Sequence, residues 1–164
     1  MKRSASAGFS LLEMLIVVAL ILVMGAMAMP TLMRTQRNYH LNQAAAAVTG
    51  AIQATRYQAM MRGCPFTLAI PQTNAARTNA TYQLQSQVLS GTPPTCAAGF
   101  TNVGLATPWS SSQDVSLAAA TTLQFNPNGT VQPVTGTLTL VLSNGNTTNT
   151  ITVSGVGNVK TTSP

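Results

Sequence analysis

GFSLLEML, at Gly8–Leu15, opens an apolar run that lasts to Met29. The 21 residues Phe9–Met29 would span about 31 Å as a helix, close to the hydrocarbon thickness of a bilayer. The only ionisable side chain in the run is Glu13, and a charge at the centre of a membrane helix costs ~2.5–3.5 kcal/mol on insertion scales. Such a carboxylate usually has a partner and a function, yet the run holds no Lys or Arg. The cation must therefore come from elsewhere, and one candidate is the new amine made by a cut after Gly8, on this chain or on a neighbour.

Two other interpretations of the apolar run remain open. It could be the core helix of a soluble domain, although so long and apolar a run is unusual in a chain of 164 residues. It could also be an ordinary secretory signal peptide, with Lys2 and Arg3 as its basic region and a cleavage site near Ala26-Met27-Ala28. The run exceeds the usual ~7–15 apolar residues of a signal peptide, so its length favours a membrane-spanning helix.

A second helical pattern follows the apolar run. Pro30 removes one backbone hydrogen bond, which kinks a helix without necessarily ending it. Gly63 and Pro65 are typical of a helix end. Between them, six positions recur at alternating spacings of four and three, which places them on one helical face: Leu41, Ala45, Val48, Ile52, Thr55 and Ala59. The sequence therefore predicts that residues 30–62 continue the membrane helix as an amphipathic helix.

The composition changes after Gly63 to Thr, Asn, Ser, Gly and Pro with short apolar runs. These runs predict five strands: Pro65–Ile70, Thr81–Leu89, Thr122–Phe125, Thr137–Leu142 and Thr150–Val153. Asn128-Gly129 and Asn144-Gly145 are turn signals, whereas residues 90–120 are rich in loop signals. We thus expect an α+β fold in which a long N-terminal membrane-spanning helix packs on a C-terminal antiparallel β domain at residues 63–164.

Titratable side chains are too sparse to favour catalysis. In total the chain has eight basic residues (Lys or Arg), two acidic residues (Asp or Glu) and one His. His40 is expected on the helix surface, and Asp114 is the only carboxylate outside the apolar run. A general acid–base pair or a three-ligand metal site needs more groups than these. We therefore expect no enzyme activity, no metal site and no cofactor.

Cys64 and Cys96 are the only cysteines. In an oxidising compartment they could form a disulfide that closes a loop of about 30 residues, worth roughly 3–4 kcal/mol in the chain-entropy model. The alternative is a pair of buried free thiols. The two cysteines and the composition of the distal part favour a C-terminal domain outside the cytoplasm.

The start of the chain resembles a type IV prepilin leader. Four features coincide: a short basic leader at residues 1–8, a Gly8-Phe9 junction, Glu13 four residues further on and a helix of membrane length. Pro30 also matches a proline common in the helices of that family. The resemblance implies that a prepilin peptidase cuts after Gly8 and methylates the amine of Phe9. It further implies a single-pass protein of the bacterial inner membrane with its C-terminal domain in the periplasm. Pairing of Glu13 with a neighbour's Phe9 amine would satisfy both charges when the helix enters a filament core.

A second resemblance covers the end of the helix and the distal β region. Val48–Gly63 is similar to the helix end of H-type minor pseudopilins of type II secretion (GspH/FimT-like). Leu123–Gly129 resembles their Phe-x-Pro-x-Gly turn, and Ile151–Val159 resembles their closing strand, glycine turn and strand. This implies a helix packed on a two-sheet β domain, in a low-abundance subunit near a filament tip or initiation complex. Arg56 and Arg62 either solvate the helix surface, bridge to β-domain carbonyls, or contact a partner.

The functional prediction is a minor pseudopilin, a structural and assembly subunit of a type II secretion pseudopilus used in protein export across the outer membrane. Its partners would be other pseudopilins or pilins in a helical filament. The alternative is a FimT-like minor type IV pilin for pilus biogenesis or DNA uptake, and a different class is a single-span membrane protein without a filament. DNA binding is disfavoured, because Arg77 and Lys160 are the only basic residues beyond the helix and nonspecific affinity grows with the phosphates neutralised.

Overall fold

A computed structural model of the chain describes residues 10–73, 80–92, 95–110, 112, 114–132 and 137–163. The protein divides into two compact units, Met1–Gln36 and Arg37–Pro164. Gly8 and Phe9 lie outside the described residues. The leader at residues 1–8 and the cleavage after Gly8 therefore stay predictions.

The first element of the described residues is one helix, α1, at Leu11–Arg62, which has 52 residues. Ser10 precedes it, and the Ser10 carbonyl accepts the first helical hydrogen bond from the Met14 amide at 3.2 Å. Ser10 and Glu13 have the spacing of a capping box, in which both side chains satisfy free amides of the first turn. A carboxylate in that turn is also favoured by the positive end of the helix dipole. Glu13 therefore fits the start of the helix on local grounds, independently of any partner.

The helix continues through Pro30 and ends where the sequence predicts. Arg62 lies in the last turn, where a cation is favoured by the helix dipole. Gly63 follows with a φ of 67°, and its amide donates to the Ala59 carbonyl at 3.1 Å. The kink at Pro30 stays a prediction.

Twelve strands follow α1 in the described part of the chain, and six of them have only two residues. In chain order they are β1 Phe66–Ile70, β2 Thr81–Ser86, β3 Leu89–Ser90, β4 Thr95–Cys96, β5 Thr101–Asn102, β6 Thr107–Pro108, β7 Ser116–Leu117, β8 Thr121–Phe125, β9 Val131–Gln132, β10 Thr137–Ser143, β11 Thr148–Ser154 and β12 Val159–Thr162.

These strands form two larger antiparallel sheets and one hairpin. The first sheet has the order β5-β2-β1-β8-β9, with β6 also paired to β2. The second sheet has the order β12-β11-β10-β7. Strands β3 and β4 pair only with each other, through Leu89 opposite Cys96 and Ser90 opposite Thr95. The antiparallel β domain predicted from the sequence is confirmed.

Two details of the strand prediction are wrong. The strand predicted at Thr81–Leu89 ends at Ser86, and Leu89 belongs to the separate hairpin β3–β4. Residues 90–120, expected as loops, contain the short strands β4 to β7. Strands of two residues carry no alternation of apolar and polar side chains, so a sequence pattern cannot detect them.

The core lies between α1 and the two sheets, within the unit Arg37–Pro164. All six predicted positions of the apolar stripe of α1 are buried, together with Ala44 and Ala51. One cluster of fully buried side chains joins the helix to both sheets. It contains Ile52 from the helix and Phe66, Phe125 and Ile151 from the sheets. Each such side chain contributes about 1.5–3 kcal/mol of hydrophobic free energy. Packing against both sheets therefore determines which face of the helix is inward.

A disulfide joins Cys64 to Cys96, 32 positions apart. Cys64 lies two residues after the end of α1, and Cys96 is the last residue of β4. The bond therefore fastens the hairpin β3–β4 to the point where the chain leaves the helix.

Candidate functional site

The first part of α1, up to Gln36, carries its apolar side chains on the surface. By length and composition α1 could cross a membrane, and none of its most apolar stretch is buried in the protein. Leu11, Leu22 and Met27 expose 84%, 67% and 76% of their surface. A core helix of a soluble domain would instead be mostly buried. The exposed apolar surface requires another cover, which a bilayer or a bundle of similar helices can supply.

Glu13 lies on this exposed surface, in the first turn of α1. Leu12 and Met14 on either side of it are exposed by 68% and 57%. A carboxylate among apolar side chains is inexpensive in water and costly in lipid. The proposed partner of Glu13, the amine of Phe9, lies outside the described residues.

In the second unit, Arg56 links α1 to two turns of the β domain. Its Nη1 donates to the Gly157 carbonyl at 3.2 Å, and the side chain is half-buried. Gly157 has a φ of 79°, and a Cβ built there would lie 2.7 Å from Nε of Arg56. Gly129 has a φ of 82°, and a Cβ there would lie 3.4 Å from Nη2 of the same side chain. Glycine is therefore required at Gly157 for two reasons, the backbone conformation and the close approach of Arg56.

The two glycine turns belong to different sheets and meet beside Arg56. Gly129 closes the turn between β8 and β9, where its amide donates to the Asn126 carbonyl at 2.9 Å. Gly157 closes the turn between β11 and β12, where its amide donates to the Ser154 carbonyl at 2.8 Å. The Val131 amide also donates to the Gly155 carbonyl at 2.9 Å, which connects the sheets directly. Arg56 thus bridges to a β-domain carbonyl, which was one of the three interpretations of this residue.

Further towards the start of this unit, asparagines on α1 hydrogen-bond to the second sheet. Asn149 on β11 is buried, and its Nδ2 donates to Oδ1 of Asn42 at 2.8 Å. Oδ1 of Asn38 accepts bonds from Nδ2 of Asn144 at 3.2 Å and from the Thr147 hydroxyl at 3.0 Å. Sequence reasoning missed these residues. Asn144 and Asn149 are buried, and buried amides are normally hydrogen-bonded, so these bonds help to set the rotation of the helix on the sheet.

The remaining candidate residues do not gather into a reaction centre. No cluster of three or more His, Cys, Asp and Glu occurs among the residues that the structure describes. His40, expected on the surface of α1, is half-buried instead, and its Nδ1 is buried. Asp114 accepts a hydrogen bond from the Ser112 hydroxyl at 3.2 Å.

Comparison with known families decides the relationship of the chain. A family model described as Type II transport protein GspH matches residues 44–157. The chain belongs to the GspH family. A second model, the prokaryotic N-terminal methylation motif, matches residues 3–29. The resemblance to pilin-like proteins of the H type is thereby confirmed. This motif overlaps the start of α1, the one helix among the described residues that could cross a membrane, and the combination fits a membrane-anchored protein.

A solved structure shows the same fold for this GspH-family chain. A crystal structure of the type IV minor pilin FimU from Pseudomonas aeruginosa has a TM-score of 0.51 at 21% identity, and the match covers 79% of this chain and 96% of the FimU chain in that structure. For another crystal form of FimU the TM-score is 0.46 at 20% identity, and the match covers 76% of this chain and 97% of the FimU chain in that structure. Curated proteins give no significant match. The α+β prediction of a long apolar helix on an antiparallel β domain is confirmed.

The two matched regions of the GspH-family chain correspond to the two parts of the candidate site. The methylation motif covers Gly8, Phe9 and Glu13. The GspH region covers Arg56 and both glycine turns. The match to the GspH model therefore includes the contact of Arg56 with the glycine turns in the second unit. The match to the methylation motif includes much of the apolar surface in the first unit. Pilin and pseudopilin families are structural rather than enzymatic.

Proposed function

We propose that the chain is a minor pseudopilin, a structural and assembly subunit of a type II secretion pseudopilus that serves protein export across the outer membrane. The observation that carries the proposal is the presence of a GspH region and an N-terminal methylation motif on one chain. The exposed apolar surface of α1 supports it, because such a helix can lie in the inner membrane before assembly and in a helix bundle afterwards. The β domain would then stand in the periplasm, where Cys64 and Cys96 can stay oxidised.

Maturation is the first step to test. A prepilin peptidase would cut after Gly8 and methylate the amine of Phe9. Mass spectrometry of the full chain purified from its own cells should give a mature N-terminus at methylated Phe9. An intact Met1, or an N-terminus near Ala28, would exclude the proposed function and favour a plain membrane anchor or a signal peptide.

Assembly should depend on the charge of Glu13, through a pair with a neighbour's Phe9 amine. Glu13→Gln separates the role of the charge from the role of Glu13 in helix capping, because Gln also serves at the third position of a capping box. The variant loses only the charge, so it should insert into the membrane at least as well as the wild type. In the filament an unpaired buried amine would cost about 3 kcal/mol or more, equivalent to roughly a hundredfold loss of incorporation.

The matched control for Glu13→Gln is Glu13→Asp, which keeps the charge. Incorporation into filaments sheared from cells can be measured by immunoblot against the membrane-bound pool. We expect the Asp variant to assemble far better than the Gln variant. Equal incorporation of the Gln variant and the wild type would show that the charge pair is not an assembly device.

The second candidate function is a FimT-like minor type IV pilin for pilus biogenesis or DNA uptake. The FimU fold similarity favours it, since FimU is a type IV minor pilin. Deletion of the gene separates the two: loss of protein secretion supports the pseudopilin, whereas loss of pili or transformation supports the pilin. DNA binding stays disfavoured, because Lys160 on β12 is the only basic residue after α1 that the structure describes, and Arg77 lies outside the described residues.

A further inference from the structure

A groove of about 400 Å³ opens at the C-terminal end of α1. One wall is formed by Met61 and Arg62 from the last turn, with Cys64 beside them. The other is formed by Ser86–Leu89, which runs from the end of β2 to the start of β3. We call it the Met61 groove. It lies entirely in the unit Arg37–Pro164.

The Met61 groove gathers large apolar side chains that the fold leaves in contact with solvent. Met61 exposes 67% of its surface, Val88 54% and Leu89 53%. A single exposed apolar residue needs no explanation, whereas three around one concavity form an apolar surface that a partner could cover. Burying them would contribute roughly 25 cal/mol per Å² of apolar surface, so the groove favours an apolar side chain as occupant.

The two walls of the groove are fastened to each other. The disulfide links Cys64, which is 1% exposed, to Cys96. Cys96 pairs with Leu89 in the hairpin, and the Ala97 amide donates to the Val88 carbonyl at 2.8 Å. The groove is therefore formed before any partner arrives, and less conformational entropy is lost on binding.

Charge decides which partner fits. Arg62 is exposed at the groove, with its guanidinium carbon 5.7 Å from the centre of the Phe66 ring. Residues 37–164 contain five Lys and Arg but one carboxylate, Asp114. Two copies of this unit would repel each other, whereas a carboxylate beside the bound apolar side chain would be attracted by Arg62.

We propose that the Met61 groove binds a different, acidic pilin-like subunit, which inserts an apolar side chain flanked by a carboxylate. The inference rests on the proposed assembly function and specifies the partner. It also makes the chain a poor self-assembler, so that it would join a filament through unlike neighbours. The repulsion between like-charged copies acts against a homopolymer.

The test is site-specific photocross-linking of the full chain in its own cells. A benzophenone amino acid replaces Val88, and in the matched control it replaces Leu105, which is 92% exposed and outside the groove. Mass spectrometry identifies the cross-linked chain. We expect the Val88 probe to capture a pilin-like protein whose β domain has a net negative charge, and the Leu105 probe to capture it at least about fivefold less.

Arg62 gives the second arm of the experiment. In the Val88 probe background, Arg62→Glu should lower the cross-link yield about tenfold, whereas Arg62→Lys should keep it within about twofold. Both changes are on the surface, so the fold should persist. Capture of a second copy of this chain, of a neutral or basic protein, or of nothing overturns the proposal, as does an unchanged yield with Arg62→Glu. These outcomes leave the proposed function standing if methylated Phe9 is still found, whereas its absence removes the function itself.

Discussion

Gly157→Ala tests whether the contact between α1 and the turn after β11 holds the second unit together. The added Cβ would lie 2.7 Å from Nε, 2.9 Å from Cδ and 3.0 Å from Cζ of Arg56. Real Cβ atoms do not approach so closely, so the Arg56 side chain must move and lose its bond to the Gly157 carbonyl. Because Arg56 is only half-buried, this loss should cost about 1–2 kcal/mol.

The backbone adds a second penalty to this substitution. Gly157 has a φ of 79°, where an L-residue with a Cβ is less stable by about 1–2 kcal/mol. Together the two effects should destabilise the unit by about 2–4 kcal/mol. At about 4 °C per kcal/mol for a domain of this size, Tm should fall by about 8–16 °C.

Gly145→Ala is the matched control for Gly157→Ala. Gly145 has a φ of 92° and nothing within 4 Å of an added Cβ. It should carry the backbone penalty alone, about 1–2 kcal/mol, and lower Tm by about 4–8 °C. Trp109, the only tryptophan and 2% exposed, reports unfolding of this unit by fluorescence in the full chain in detergent micelles.

A double-mutant cycle with Arg56→Ala completes the experiment. Removing Arg56 removes the atoms that the new Cβ would strike, so Gly157→Ala should cost only its backbone penalty in that background. An equal cost of Gly157→Ala with and without Arg56 would show that the Arg56 contact does not stabilise the unit, as would a Gly145→Ala variant that is equally unstable.

Two further predictions concern the face of α1 that packs on the β domain. Ile52→Ala should destabilise the unit by about 2–5 kcal/mol, because Ile52 is fully buried and the substitution leaves a cavity. The control Gln53→Ala, at the adjacent exposed position, should cost less than about 0.5 kcal/mol. Thermal unfolding followed by Trp fluorescence measures both variants, and similar Tm values would contradict the orientation of the helix. Asn42→Ala removes the acceptor of the buried Asn149 amide and should cost about 1–3 kcal/mol. The control Gln43→Ala, at an exposed position, should cost less than about 0.5 kcal/mol. Urea unfolding of the full chain measures the difference, and equal unfolding midpoints would mean that the Asn42 bond does not stabilise the fold.

Much of the fold could be read from local pattern. The stripe from Leu41 to Ala59 predicts the buried helix face, because helical period and burial are both properties of nearby residues. Gly63 marks the helix end for the same reason, since it adopts the positive φ that the end requires. The exposed apolar stretch around Glu13 was likewise predictable, because it needs no contact with the rest of the chain to be apolar.

Long-range partners could not be read in this way. The Arg56 bond to Gly157 joins residues 101 positions apart, and the Asn42 bond to Asn149 joins residues 107 apart. Nothing in the local pattern of Arg56 distinguishes a bridge to a carbonyl from a solvated surface charge. The strand predicted through Leu89 failed for a related reason, because the hairpin that takes Leu89 is held by β4 and by the distant Cys64.

By itself, then, the sequence determined the apolar helix with its single carboxylate, the inward face of its continuation, the antiparallel character of the β domain and the scarcity of catalytic groups. These follow from composition and periodicity, which act over a few residues at a time. Only the tertiary structure decided that two glycine turns from different sheets meet beside Arg56, and that Met61, Val88 and Leu89 surround one groove. The physical reason is that such contacts depend on which strands pair across long loops, and pairing is settled by the free energy of the whole packed domain.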